Sequence, residues 1–181
     1  MVGQLSVTIL RLGHRLHRDF RITTHCALVS RALGASGMIF SGDRDDDIID
    51  GIEKVNLSWG GTFLIEYEKE WNKVLKGWKK RGACIVLATM YGINLPDVSE
   101  RLRIEHKSRD LLLVVGSEKM PSEVFHGSDL NVAVANQPHS EVAAITLILD
   151  RIFSGDELKS KFEDSRLRIV PTDKGKVVEE V

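Results

Sequence analysis

Six short apolar runs, set between segments whose apolar residues recur at three- and four-residue steps, constrain this chain more than any other feature. The runs cover residues 7–10, 38–40, 63–65, 84–87, 111–115 and 130–134 and are dominated by Val, Ile and Leu. A strand covered on both faces has no solvent side to carry polar residues, so it reads as nearly continuous apolar sequence. Between the runs, residues 27–33 have helical spacing, and Ile48, Ile52, Val55 and Trp59 share one face of a second predicted helix over 48–59. Trp71, Val74, Leu75 and Trp78 repeat the pattern, and a short helix is expected over 96–102. The best-marked helix is predicted over 138–153. Pro138 suits its first turn, Glu141 complements the positive end of its dipole, and Val142, Ile145, Leu149 and Ile152 line one side. Beyond Gly155, runs at 167–170 and 177–178 flank Pro171, Asp173 and Gly175, which predicts a terminal hairpin.

Strands alternating with helices imply an α/β fold: a mostly parallel sheet flanked by helices on both faces. At 181 residues, one core is expected rather than two. The expected organisation is a single domain over 1–153 with an extension over 154–181 packed on it. Ligands of such sheets bind beyond the carboxyl ends of the strands. Three segments fall there: Leu-Ala-Thr-Met-Tyr-Gly at 87–92, Gly-Ser-Glu-Lys-Met-Pro at 116–121, and Ala-Asn-Gln-Pro-His-Ser-Glu at 135–141.

Several classes are excluded. The longest uncharged apolar run, 142–149, is far below the roughly 20 residues that span a bilayer. The apolar stretch at 7–10 runs straight into Arg11 and does not read as a signal peptide. A cytoplasmic protein without membrane contact is therefore expected. Cys26 and Cys84 are the only cysteines, too few for a disulfide framework and without the paired spacing of a zinc site, so buried thiols and no metal are expected. Both G-x-G-x-x-G and G-x-x-x-x-G-K-[ST] are absent, which disfavours a pyrophosphate-bearing ligand. The net charge of −1 carries no global signal for nucleic acid. Its distribution does: Arg11, His14, Arg15, His17, Arg18 and Arg21 face the single acid Asp19, and acids then cluster at Asp43, Asp45, Asp46, Asp47 and Asp50. Such clustering suits either a solvated face or phosphate binding.

Three motifs in one order carry a resemblance. Arg-Leu-Gly-His-Arg at 11–15, continuing as Arg-Asp-Phe-Arg-Ile-Thr-Thr-His at 18–25, resembles the N-terminal signature of the archaeal tRNA (cytidine 56) 2′-O-methyltransferases, a family of the SPOUT superfamily. Val-Gly-Ser-Glu-Lys-Met-Pro at 115–121 is similar to their second motif, and Asn-Gln-Pro-His-Ser-Glu-Val-Ala-Ala at 136–144 to their third. Together with Thr-Met-Tyr-Gly at 89–92, the likeness spans residues 11 to about 151. It departs from the pattern at Ser117, where the family has alanine, and at Leu33, an aromatic position in the family.

The resemblance implies a SPOUT-type sheet whose C-terminal part is threaded into a trefoil knot, a homodimer whose site is completed by the partner subunit, S-adenosylmethionine as methyl donor, and tRNA as substrate. It assigns the donor pocket to Ala88, Thr89 and Met90, to Gly116, Ser117, Glu118, Lys119 and Met120, and to Val134, Ala135, Asn136, Gln137, Pro138, His139, Ser140 and Glu141. Catalytic candidates are Arg21, Arg18 and His25, with Arg21 foremost because it stands just before the Thr23–His25 helix start. Arginine is always protonated and makes an implausible base, so gripping the phosphate beside the target ribose is its safer role. Arg11, Arg15, Arg18 and Arg21 are the expected RNA contacts. Two alternatives stay open at this point: an RNA-binding module that kept the fold without catalysis, and a methyltransferase acting at another RNA position.

Overall fold

A computed structural model describes residues 5–116, 120–162 and 164–181. The chain runs β1 (Val7–His14), α1 (Phe20–Ala32), β2 (Gly37–Gly42), α2 (Asp46–Trp59), β3 (Leu64–Tyr67), α3 (Trp71–Lys80), β4 (Cys84–Asn94), α4 (Leu95–Ser108), β5 (Leu111–Gly116), α5 (Ser122–Gly127), β6 (Leu130–Ala133), α6 (Glu141–Phe153), a 3₁₀ turn, β7 (Leu167–Val170) and β8 (Val177–Glu180). The first six strands form one sheet in the order β3-β2-β1-β5-β4-β6, and every neighbouring pair in it is parallel. The expected α/β class and all six core strands are therefore present.

Strand parity sorts the core into two halves. Val7 and Ile9 of β1, Cys84 and Val86 of β4, and Leu111, Leu113 and Val115 of β5 join a cluster with α1, α2, α4 and α6. Their alternates Leu10, Leu12, Ile85, Leu87, Leu112 and Val114 join a second cluster with Leu75 of α3 and Val124 of α5. The assignment of helices to faces follows from handedness, because a right-twisted parallel crossover closes in one sense only. Connections that step toward β3 (through α1, α2 and α4) cover one face. Those that step toward β6 (through α3 and α5) cover the other. The stepping direction reverses beside β1 and β5, which makes their carboxyl ends the switch point where open α/β sheets hold ligands.

Helix boundaries differ from the sequence expectation for identifiable reasons. Helix α1 starts at Phe20 rather than 27, because buried Thr23, Cys26, Ala27 and Ser30 form a face of small or polar residues that apolar periodicity does not detect. Helix α4 continues past 102 to Ser108 through a polar turn held by Arg109–Glu105 and Arg103–Glu100 pairs at 2.7 Å. Helix α6 begins at Glu141, not at Pro138, since the Ser140 hydroxyl accepts from Val142 N–H at 3.2 Å and ends the preceding extended chain. Helix α5, six residues long, carries too few apolar positions to show a period.

β4 is also longer than expected. Residues 89–92 are not a terminal turn: they bulge out, after which Ile93 and Asn94 pair again with Val132 and Ala133 of β6. Gly92 permits this crossing, since a Cβ there would lie 2.5 Å from the backbone carbon and oxygen of Asn131. The predicted terminal hairpin exists as β7 and β8. The segment leading into it covers the turn after α2, where Gly60 and Gly61 have positive φ and Phe162 and Ser165 occupy the space their Cβ atoms would need. Among the described residues no helix is long and apolar enough to cross a membrane.

Candidate active site

Two clefts open at the carboxyl ends of the strands, and they share Gly116 and Met120 as a common wall. The first, roughly 450 Å³, is lined by the β4 bulge (Ala88, Thr89, Met90, Tyr91), the end of β5 (Val115, Gly116), Met120 and Phe125, and the segment into α6 (Gln137, His139, Glu141, Ala144). Residues separated by some fifty positions thus converge because β4, β5 and β6 are adjacent in the sheet. Asn136 braces the convergence: its side-chain amide donates to the carbonyls of Met90 at 2.8 Å and Gly92 at 3.4 Å. A Cβ on Gly116 would sit 2.4 Å from Met120 Cε, so a larger residue there would push that flexible side chain aside.

Of the expected donor-pocket residues, Ala88, Thr89, Met90, Gly116, Met120, Gln137, His139 and Glu141 line this cleft. Asn136 and Ser140 act on it through the backbone, as brace and as cap. Val134, Ala135 and Pro138 belong to the same connecting segment but are not among its lining residues. Ser117, Glu118 and Lys119 lie outside the described residues.

The first motif is divided by burial. Arg11 is fully buried, which corrects its expected role as an RNA contact. Strand parity turns it into the larger core half, where its Nε donates to Glu141 Oε2 at 2.8 Å. Among the described residues its Nη1 and Nη2 have no hydrogen-bond partner. Burial raises the Glu141 carboxyl above its ordinary range, and the Arg11 charge opposes that rise. Cys26 Sγ lies 3.7 Å from the same carboxylate oxygen, and burial, followed by the Glu141 charge, pushes its thiol up to about 12. Cys84 is likewise a free, buried thiol. The sequence signal for the pair was available: Arg11 stands where strand alternation calls for an apolar side chain, and a buried charge needs a partner.

His14 is buried as well, with Nδ1 2.8 Å from Thr23 Oγ1 and Nε2 3.3 Å from Asp45 Oδ2. Burial and the nearby Arg11 charge lower its pKa below the usual histidine range. Arg15 is half-buried and pairs with Asp19 at 2.9 Å. It lines the second cleft with Leu12, Gly13, Ser41, Asp43, Lys69 and Trp71. Arg18, Arg21 and His25 are exposed at the start of α1 and are not among the residues lining the first cleft. Arg21 and His25 are four positions apart and so share a helix face.

The family described as tRNA ribose 2′-O-methyltransferase, aTrm56, matches residues 59–179. A tRNA (cytidine(56)-2′-O)-methyltransferase of Methanopyrus kandleri is 50% identical over 171 residues, 94% of this chain and 94% of the relative. Among solved structures, the A. aeolicus TrmH/SpoU tRNA modifying enzyme superposes with a TM-score of 0.61 at 18% identity, covering 86% of this chain and 78% of that one. The SpoU methyltransferase AviRb from Streptomyces viridochromogenes, determined in complex with AdoMet, gives a TM-score of 0.60 at 14% identity over 86% of this chain and 59% of the other.

Proposed function

Since this chain belongs to the family of tRNA ribose 2′-O-methyltransferases termed aTrm56, we propose that it methylates the ribose 2′-hydroxyl of cytidine 56 in tRNA, with S-adenosylmethionine as donor. The observation that carries the donor assignment is the convergence of the β4 bulge, Gly116 and the segment into α6 on one cleft of a size suited to a small-molecule cofactor. The residues fit the donor. Apolar walls from Ala88, Val115, Phe125 and Ala144 accept an adenine, while Gln137, His139 and Glu141 offer polar contacts to the ribose and amino-acid portions. The Glu141 carboxylate, anchored by Arg11, places negative charge where a sulfonium is to be held. When bound, the donor supplies an activated methyl group; what the protein adds is alignment of the acceptor hydroxyl with it, which can account for much of the acceleration.

Arg21 and Arg18 grip the phosphate next to the target ribose, and His25, on the same helix face as Arg21, is the proton acceptor of the three. Their exposure beside apolar Leu16 (44% exposed) and Phe20 (41%) supports a homodimer in which the start of α1 faces the partner's donor cleft. The trefoil knot is supported by the double pairing of β4 with β6 around the bulge and by the Asn136 brace across it. Residues 154–181 act as an extension of the same domain, supported by the Arg166 N–H donating to Ser58 O at 3.1 Å and by Arg31 stacked 4.4 Å over the Phe162 ring. The protein works in the cytoplasm with its substrate.

The test is incubation of the protein with tritiated donor and unmodified tRNA transcript, followed by mapping of the label. Label at ribose 56 is expected. No incorporation would make the chain an RNA-binding module, and label elsewhere would reassign the position.

A further inference from the structure

The second cleft shares Gly116 and Met120 with the first and lies at the switch point of the sheet, where β1, β2 and β5 end. We propose that it is the pocket for the base of the target nucleotide, with Trp71 as the stacking wall and Asp43 as the acceptor that selects cytosine. This rests on the reading of the chain as a cytidine 2′-O-methyltransferase.

Position is the first support. Transfer needs the acceptor hydroxyl about 3–3.5 Å from the donor carbon, so a nucleotide pocket must open onto the donor cleft. The two clefts share Gly116 and Met120, and each has roughly 450 Å³, room for a nucleoside. The second support is the chemistry of the lining. Trp71 opens α3 and is half-buried, held by its packing on the second core cluster while it lines the cleft. Asp43 is fixed twice: its backbone N–H donates to His14 O at 2.8 Å, and its Oδ2 accepts from Leu16 N–H at 3.0 Å. Among the described residues no hydrogen bond is made to its Oδ1.

Charge balance chooses between base and phosphate. Arg15 is committed to Asp19, and Lys69 stands against Asp43, so the wall is close to neutral and would not concentrate a phosphate. Cytosine presents an exocyclic amine where uracil presents a carbonyl oxygen. A carboxylate accepts from the first and repels the second, and a site built for one hydrogen-bonding pattern rejects the other strongly.

The experiment compares tRNA transcripts carrying C or U at position 56 with the wild type, Asp43→Asn, Trp71→Ala and Trp71→Phe. An amide that keeps the bond to Leu16 N–H through its oxygen turns its nitrogen, a donor, to the base, which suits the uracil carbonyl rather than the cytosine amine. The C-over-U preference in kcat/KM should therefore fall by at least about tenfold in Asp43→Asn, with donor affinity retained by titration. Loss of the tertiary pairing of base 56 is common to both enzymes and cancels in the ratio of preferences. Trp71→Ala should weaken tRNA binding, measured without donor, by about tenfold or more, and Trp71→Phe should restore part of it. An unchanged preference in Asp43→Asn, or Trp71→Phe and Trp71→Ala both binding tRNA as the wild type does, overturns the pocket. A wild-type enzyme that leaves C56 unlabelled overturns the functional reading as well, and so separates the two failures.

Discussion

Glu141→Gln probes an ion pair that links the first and third motifs through the core. Arg11 has no accessible surface, whereas 16% of the Glu141 side chain remains exposed at the cleft. Removing one partner of a buried pair costs about 3–5 kcal/mol, chiefly because the survivor is left uncompensated. Glutamine still accepts from Arg11 Nε, and the cleft admits some solvent, so about 2–4 kcal/mol is expected here. For a chain of this length that is a fall in Tm of roughly 4–16 °C. Arg11→Met should cost less at neutral pH, because the stranded Glu141 carboxyl already sits above its ordinary range and can take up a proton. Its sign with pH also differs. A carboxyl whose folded pKa is raised contributes stability that is full below the unfolded value and is lost as pH rises through the folded one, so Arg11→Met should recover stability relative to wild type on acidification from pH 7 to 5. The double variant, with neither charge, should be more stable than Glu141→Gln alone. Denaturant unfolding of the four proteins closes the cycle. A Glu141→Gln midpoint equal to wild type, or strict additivity in the double variant, would refute the compensation argument.

Three further outcomes are expected. Arg21→Ala should lower tRNA methylation by about a hundredfold or more while calorimetric donor affinity is unchanged; a fully active variant removes Arg21 from the site. Gly92→Ala should destabilise the fold by at least about 2 kcal/mol by thermal unfolding, because the new methyl meets Asn131 backbone that cannot rotate away; wild-type stability would mean that β4 and β6 separate without cost. His14 and His106 are both held below the usual histidine range, mainly by burial. The unfolded chain therefore binds more protons once pH drops below about 6.5, and the stability present above that value is lost as pH falls. His106→Gln should flatten the Tm slope between pH 7 and 5, and an unchanged slope would exclude His106 from it.

Nearly continuous apolar runs made the sheet legible, because strands buried on both faces leave no solvent side to carry polar residues. The clefts were legible as places, since they lie where strand ends must lie, and Ala88, Thr89, Met90, Gly116, Gln137, His139 and Glu141 from three separate segments line one of them. What stayed hidden depends on contacts between elements. Strand alternation sets Arg11 apart from Arg15, Arg18 and Arg21, but only the fold brings Glu141, 130 positions on, to its Nε. Asp43 and Trp71 carried no signal because each is ordinary in its own segment, an acid in an acidic run and an aromatic on an amphipathic helix. The start of α1 was lost because its buried face is built from Thr, Cys and Ser rather than Leu or Ile.

The division of labour between the two clefts follows from the same reversal that sets the layers. A sheet that stepped in one direction only would end its strands in a single row of equivalent turns. Here β5 returns to lie between β1 and β4, so its end borders two different neighbours. On the β4 side it meets the bulge and the segment into α6; on the β1 side it meets the loop between His14 and α1 and the end of β2. Gly116 and Met120 stand between the two clefts, with Met120 Cε in the space a Cβ on Gly116 would need. Arg11, spanning from β1 to the first residue of α6, fixes the distance between the two walls from inside the core.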